Sequence, residues 1–135
     1  MMNKQDLCNL YSTDPDLTEK WHIRSGEGIE MCVSDTWDII KDHELYLYDF
    51  GYFSIDRDGD IVPRLGGFFI KPEYRNAENK QLLYMEICSK MPGVFLSALH
   101  NKNTRGIKFL SKLPGSEIVT ITDNYTYFCF RQEKK

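Results

Sequence analysis

The stretch from Phe68 to Leu113 constrains the fold most, because it reads as strand, turn, helix, strand, loop and helix within 46 residues. The strand candidate Gly67-Phe68-Phe69-Ile70 runs into Lys71-Pro72-Glu73-Tyr74-Arg75, and Asn76-Ala77-Glu78-Asn79 forms a polar turn. From Lys80 to Lys90 apolar residues fall at 83, 84, 87 and 88, with Leu82 and Met91 near the same stripe. That is a helical period, so one face of the segment is expected to lie on a sheet. Met91-Pro92-Gly93 stops it, since proline cannot continue the ladder and glycine suits a helix exit. Val94 to Leu99 is mostly apolar and reads as a central strand covered on both faces. Asn103 is placed to cap a helix carrying Ile107, Phe109, Leu110 and Ser111, which Pro114-Gly115 ends. A βαβα unit of this kind fixes an α/β or α+β class.

The flanks supply the rest of the sheet and its cover. Met1 to Leu10 fits a short helix or a strand equally. Asp14-Pro15-Asp16 is a helix start whose inner side would carry Leu17, Trp21 and Arg24, with Gly26 and Gly28 breaking the pattern. Ile29 to Lys41 has a helical face of Ile29, Cys32, Val33, Trp37 and Ile40, although Ser34-Asp35 would equally cap a shorter helix. From Glu44 the period becomes two: Leu45, Leu47 and Asp49 face one way, Tyr46, Tyr48 and Phe50 the other. Gly51 permits a bend or bulge, Tyr52 to Ile55 adds strand material, and Asp58-Gly59 is a hairpin signal. The aspartates around it do not make a calcium loop, because the required glutamate position holds Gly67. Ile61-Val62 resumes a strand whose edge or bulge Pro63 marks. Ile118 and Ile121 alternate within Glu117 to Thr122, Asp123-Asn124 turns, and Tyr125 to Phe130 closes the sheet. The expectation is one domain, 1–135, with a mixed central sheet of six to seven strands and helices on both faces.

The formal charge of −3, from 17 basic and 20 acidic residues, gives no electrostatic case for a nucleic-acid partner. The four cysteines, at 8, 32, 88 and 129, are widely spaced and read as free buried thiols. The three histidines, at 22, 43 and 100, are too scattered for a metal site. With neither a signal peptide nor a membrane-spanning run, a soluble cytoplasmic protein is expected.

Two loops follow the parallel strand candidates, and ligands bind beyond the carboxyl ends of such strands. The first precedes the Leu82 helix, whose free N-terminal amides suit a phosphate. Arg75 and Lys80 are its cations, offset by Glu73 and Glu78. The second is His100 to Arg105, where Asn103 is a helix cap or a ligand-facing group and His100 is an acid or base candidate. Glu44 and Asp49, near the ends of the early strands, are candidate bases. Of the early aromatics Tyr46, Tyr48, Tyr52 and Phe53 and the late ones Tyr125, Tyr127, Phe128 and Phe130, half are expected in the core, and the tyrosines of the other face on a partner surface or substrate wall.

These motifs resemble the GCN5-related N-acetyltransferase (GNAT) superfamily, over the whole chain and most clearly from Ile61 to Phe130. Phe69-Ile70-Lys71-Pro72-Glu73-Tyr74-Arg75 resembles the family's strand and its approach to the coenzyme A turn. Asn103-Thr104-Arg105-Gly106-Ile107-Lys108-Phe109-Leu110-Ser111-Lys112-Leu113 resembles its later asparagine-to-aromatic helix. The resemblance implies acetyl transfer from acetyl-CoA to a small-molecule or protein amine by direct attack. It implies amides around Phe69, Ile70 and Lys71 polarising the thioester, and Arg75 with the turn Asn76, Ala77, Glu78, Asn79 and Lys80 holding phosphate. It further implies Asn103 on the cofactor, Glu44 or Asp49 relaying the amine proton, and Tyr125 or Tyr127 as the acid. Glu78 and Lys80 stand where the family has glycines, Leu110 where it commonly has a tyrosine, and Pro114-Gly115 in place of a Gly-Phe corner. With these departures the chain also resembles small acetyltransferase-like proteins of tailed bacteriophages. That likeness implies an inactive scaffold with a protein partner, associated with virion or head assembly.

Overall fold

The computed structural model describes residues 2–14, 28–57 and 62–132. The alternating run from Glu44 forms β1 (Glu44–Tyr48), and Asp49-Phe50 turns the chain back into β2 (Gly51–Asp56), with Tyr48 opposite Gly51. Gly51 begins β2 rather than bulging it; a Cβ there would overlap the Phe69 carbonyl oxygen on the next strand. That strand, β3 (Arg64–Ile70), is antiparallel to β2. It begins after Pro63, so Val62 lies outside it, while Asp58, Gly59 and Ile61 lie outside the described residues. β4 (Val94–His100) runs parallel to β3, and β6 (Tyr125–Arg131) pairs antiparallel with β4 and with β5 (Ser116–Ile121). Among the described residues the sheet has six strands, in the order β1-β2-β3-β4-β6-β5.

The described residues form four α-helices. At α1 (Lys4–Tyr11) the choice between helix and strand is made by a capping box: Asp6 N–H donates to Asn3 Oδ1 and Asn3 N–H to Asp6 Oδ2, each at 2.9 Å. α2 (Gly28–Ile40) is the longer of the two readings, and Gly28 opens it rather than breaking it. Asn76 caps α3 (Ala77–Lys90) and Asn103 caps α4 (Thr104–Ser111). Helix α3 and α4 pack Leu83, Ile87 and Leu110 with Phe53, Ile70 and Phe95 on one face of the sheet. On the other, α1 and α2 pack Leu7, Leu10, Val33 and Ile40 with Tyr52 and Phe69. Sequence neighbours 52 and 53, and 69 and 70, thus serve opposite cores, as strand alternation requires. The apolar stripe of α3 is narrower than its sequence suggests: Leu82 and Met85 are exposed. The helix expected from Asp14, with Leu17, Trp21, Arg24 and Gly26, falls beyond Asp14 outside the described residues. Cys8 and Cys88 are half-buried and Cys129 is buried, all three with free thiols. Among the described residues no helix is long and apolar enough to cross a membrane, and no cluster of histidine, cysteine or carboxylate suits a metal.

The feature that positions the site is a parting between β3 and β4. Their register contains the single pair Arg64 and Leu96. Leu96 N–H donates to the Pro63 carbonyl at 3.1 Å, and Ser97 Oγ donates to the Leu65 carbonyl at 3.0 Å. On the other edge of β3, Phe53 faces Phe68 whereas Ile55 faces Leu65, so two steps along β2 match three along β3. The extra residue is a bulge at Gly66-Gly67, and it reverses which edge each later peptide addresses. Before it, the carbonyls of Pro63 and Leu65 face β4. After it, Gly67 N–H donates to Ser54 Oγ and Lys71 N–H to the Phe50 carbonyl, both at 2.8 Å and both on the β2 side. Strand alternation then turns the amides of Phe68 and Ile70 toward β4, into the gap.

Candidate active site

Beside the parting lies a cleft of about 950 Å³. Leu65 to Gly67 of β3 and Leu96 to His100 of β4 line it, with Asp35, Thr36 and Ile39 of α2 on one side and Val119, Tyr125 and Tyr127 of β5 and β6 on another. The expectation that β4 is covered on both faces is corrected here. Phe95 is buried under the α3 side, but Ala98 is exposed and belongs to the cleft.

His43, which follows α2, enters this cleft with two partners from β2. Its Nδ1 lies 3.1 Å from Ser54 Oγ, and its Nε2 lies 3.8 Å from Asp56 Oδ2. The bulge makes this possible: a Cβ on Gly66 would stand 2.5 Å from Ser54 Oγ and 2.7 Å from His43 Nδ1. The order Asp, His, Ser does not make a nucleophilic triad, because Ser54 is fully buried and its oxygen already accepts the Gly67 amide. The sequence carries no signal for this group, since no fixed spacing links a residue after a helix to alternate positions of the second strand beyond it.

Of the residues singled out by sequence, Tyr125, Tyr127 and Asn103 line the cleft together with His100. The His100 ring stands edge-on to Tyr125 at 5.4 Å. Its Nδ1 accepts Lys102 N–H at 3.1 Å, which leaves the proton of the neutral ring on Nε2 as a donor. Asn103 Oδ1 accepts Gly106 N–H at 2.9 Å as the cap of α4. Glu44 and Asp49 are not brought to the cleft. Glu44 sits on the edge strand, paired with Arg57 and accepting the Tyr46 hydroxyl at 2.9 Å, and Asp49 is in the β1–β2 turn.

The cofactor candidates divide in two. Backbone groups remain suitable: the Ile70 amide faces the gap, and Asn76 takes the Asn79 and Lys80 amides, leaving those of Ala77 and Glu78 without an acceptor among the described residues. The Glu78 side chain is exposed, so its carboxylate stays hydrated. The amides of Phe69 and Lys71 are turned away toward β2, and the Lys71 ammonium lies over the Tyr74 ring at 5.7 Å. Arg75 is committed elsewhere: Nε donates to the Ile70 carbonyl and Nη2 to Asp14 Oδ2, each at 2.8 Å. Arg105 Nη1 reaches the same Asp14 oxygen at 3.3 Å. The exit of β3 and the first turn of α4 therefore meet at one buried carboxylate, so Arg75 and Asn103 belong to the same end of the molecule.

PaiA N-acetyltransferase from Thermoplasma acidophilum, solved with coenzyme A, superposes with a TM-score of 0.65 at 15% identity, over 96% of this chain and 95% of that one. A GNAT-family acetyltransferase from Bacillus anthracis gives 0.61 at 12% identity, over 98% and 93%. The chain has the GNAT fold. PH1933 from Pyrococcus horikoshii OT3 superposes with a TM-score of 0.64 at 15% identity, over 99% of this chain and 95% of that one. No protein-family model and no curated protein sequence matches the chain. At such identities the likeness is one of fold, and the parted pair β3 and β4 is where this GNAT-fold chain places its cleft.

Proposed function

We propose that the chain is an acyl-CoA-dependent N-acetyltransferase acting on an amine held in the cleft. The observation that carries the reading is the parting of two parallel strands with the Ile70 amide aimed into the gap, next to a cleft lined by Tyr125 and Tyr127. Acetyl-CoA would supply an activated acyl carbon and a thiolate that leaves with the electron pair of the broken C–S bond. The Ile70 N–H is oriented to donate to the carbonyl oxygen as charge develops on it. The amides of Ala77 and Glu78 at the start of α3 would hold phosphate, with Arg75 reaching it only through the N–H groups that Ile70 and Asp14 leave over. The amine lone pair forms the new C–N bond, its surplus proton passes to a base, and the Tyr125 or Tyr127 hydroxyl gives a proton to the departing sulfur.

A second reading, a protein-binding scaffold such as a virion or head assembly part, draws on β5, an edge strand with Ile118, Val119 and Ile121 exposed. It is the weaker one because Tyr125 and Tyr127 line the cleft instead of a flat sheet face. Calorimetric titration with acetyl-CoA decides: micromolar binding is expected, and no binding at millimolar ligand would overturn the enzyme reading in favour of the scaffold.

A further inference from the structure

We infer that His43 and Asp56 form the amine-receiving end of the cleft, and that the acceptor carries one ammonium on an apolar or aromatic body. The inference rests on the transferase reading for its reaction, but not for its binding site. His43 Nε2 and Asp56 Oδ2 are 3.8 Å apart, too far for a hydrogen bond between them and close enough for one ammonium to donate to both. Ser54 Oγ accepts the Gly67 amide and stands 3.1 Å from His43 Nδ1; the step proposed uses the tautomer in which Nδ1–H donates to the Ser54 oxygen and Nε2 is the acceptor of the ring. His100 lacks that capacity, since its Nδ1 is taken by the Lys102 amide. In the step proposed, an N–H bond of the ammonium breaks, the pair stays on nitrogen, and the proton moves to Nε2. The resulting imidazolium faces the Asp56 carboxylate.

The class of acceptor follows from the rest of the lining. Among the described residues the charged groups there are Asp35 and Asp56 against Arg64 and Lys102, two of each sign, so these give no net attraction for a polycation. Its remaining surface is largely apolar and aromatic, and its volume is near the upper end of about 300–1,000 Å³ for small-molecule sites. A monoamine with an apolar body matches both facts; a polyamine matches neither.

The test titrates 2-phenylethylamine and spermidine into the chain without acetyl-CoA, followed by amide chemical shifts, and then measures turnover. The expected result is binding of 2-phenylethylamine tighter than spermidine, weakened about tenfold or more in Asp56→Asn through loss of a charged partner. His43→Gln should bind the amine within about threefold of the parent yet lose about a hundredfold in kcat, the size of a general-base contribution. Added imidazole should restore part of the activity of His43→Ala, which a merely structural role would not allow. Ser54→Ala, which keeps the imidazole but frees its ring, should fall between the two in kcat. Tighter binding of spermidine, an unaffected Asp56→Asn, or a His43→Gln defect confined to KM would overturn the inference. A chain that binds 2-phenylethylamine through Asp56 but not acetyl-CoA would sink the transferase reading and leave the amine site standing.

Discussion

Ser97 and Leu65 are joined across the parting strands: the serine hydroxyl donates to the leucine carbonyl at 3.0 Å, in a buried setting where the backbone ladder between β3 and β4 ends. Replacing Ser97 by alanine removes that donor and leaves a buried carbonyl one partner short. A loss of about 1–2 kcal/mol in urea unfolding is expected, with faster amide exchange in β3 than in β2. Unchanged stability would mean that the strands are held by packing alone.

Asp14 ties the end of α1 to the exit of β3 and to α4. Its side chain is 3% exposed, that of Arg75 18% and that of Arg105 53%. Arg75→Ala should therefore destabilise by about 2–4 kcal/mol, because it strips a buried carboxylate of its better-shielded cation. Arg105→Ala should cost under about 1 kcal/mol, as exposed pairs do. Denaturant melts of the two variants check the order, and a larger loss in Arg105→Ala would contradict it.

Two glycines separate a backbone role from a positioning role. At Gly51 a methyl group meets the Phe69 carbonyl, which cannot move without unpairing β2 from β3. At Gly66 it meets the side chains of Ser54 and His43, which can turn aside. Gly51→Ala is expected to lose about 3 kcal/mol or more, and Gly66→Ala about 1–2 kcal/mol. Gly66→Ala should also move the His43 ring resonances in an NMR spectrum, and their constancy would show that the bulge does not set the ring.

Stability should fall on the alkaline side. Burial, reinforced by a hydrogen bond to Glu86 at 2.8 Å, pushes the Tyr48 hydroxyl well above its ordinary pKa of 10.0. Burial raises Tyr84 too, and burial followed by the neighbouring Glu44 raises Tyr46. Unfolded tyrosines lose their protons near pH 10 while these keep theirs, so above that pH the folded state binds more protons and stability declines as pH rises. The contribution is whole below pH 10. Urea midpoints at pH 8, 10 and 11 should fall in that order, less steeply in Tyr48→Phe.

Much of the fold is legible along the chain because it depends on neighbours. The Asn76 and Asn103 caps, the stop at Met91-Pro92-Gly93, and the alternation of Tyr52 with Phe53 each involve groups within a few residues of one another. The site is less legible. Tyr125, Tyr127 and Asn103 reach the cleft because strand and helix ends lead there, whereas Glu44 and Asp49, chosen for the same reason, sit away from the parting on β1 and its turn. The ion pair that Arg75 makes has no local signal, because its partner, Asp14, lies 61 residues away in sequence.

The sequence by itself determined the order of elements, their ends and the faces they bury, since propensity, capping and periodicity act over a turn or two of chain. The tertiary structure decided which edge each peptide of β3 addresses and which side chains share the cleft. Those depend on one extra residue at Gly66-Gly67 measured against β2. Register is a property of two strands together, and a single-residue shift reverses every hydrogen-bonding direction beyond it.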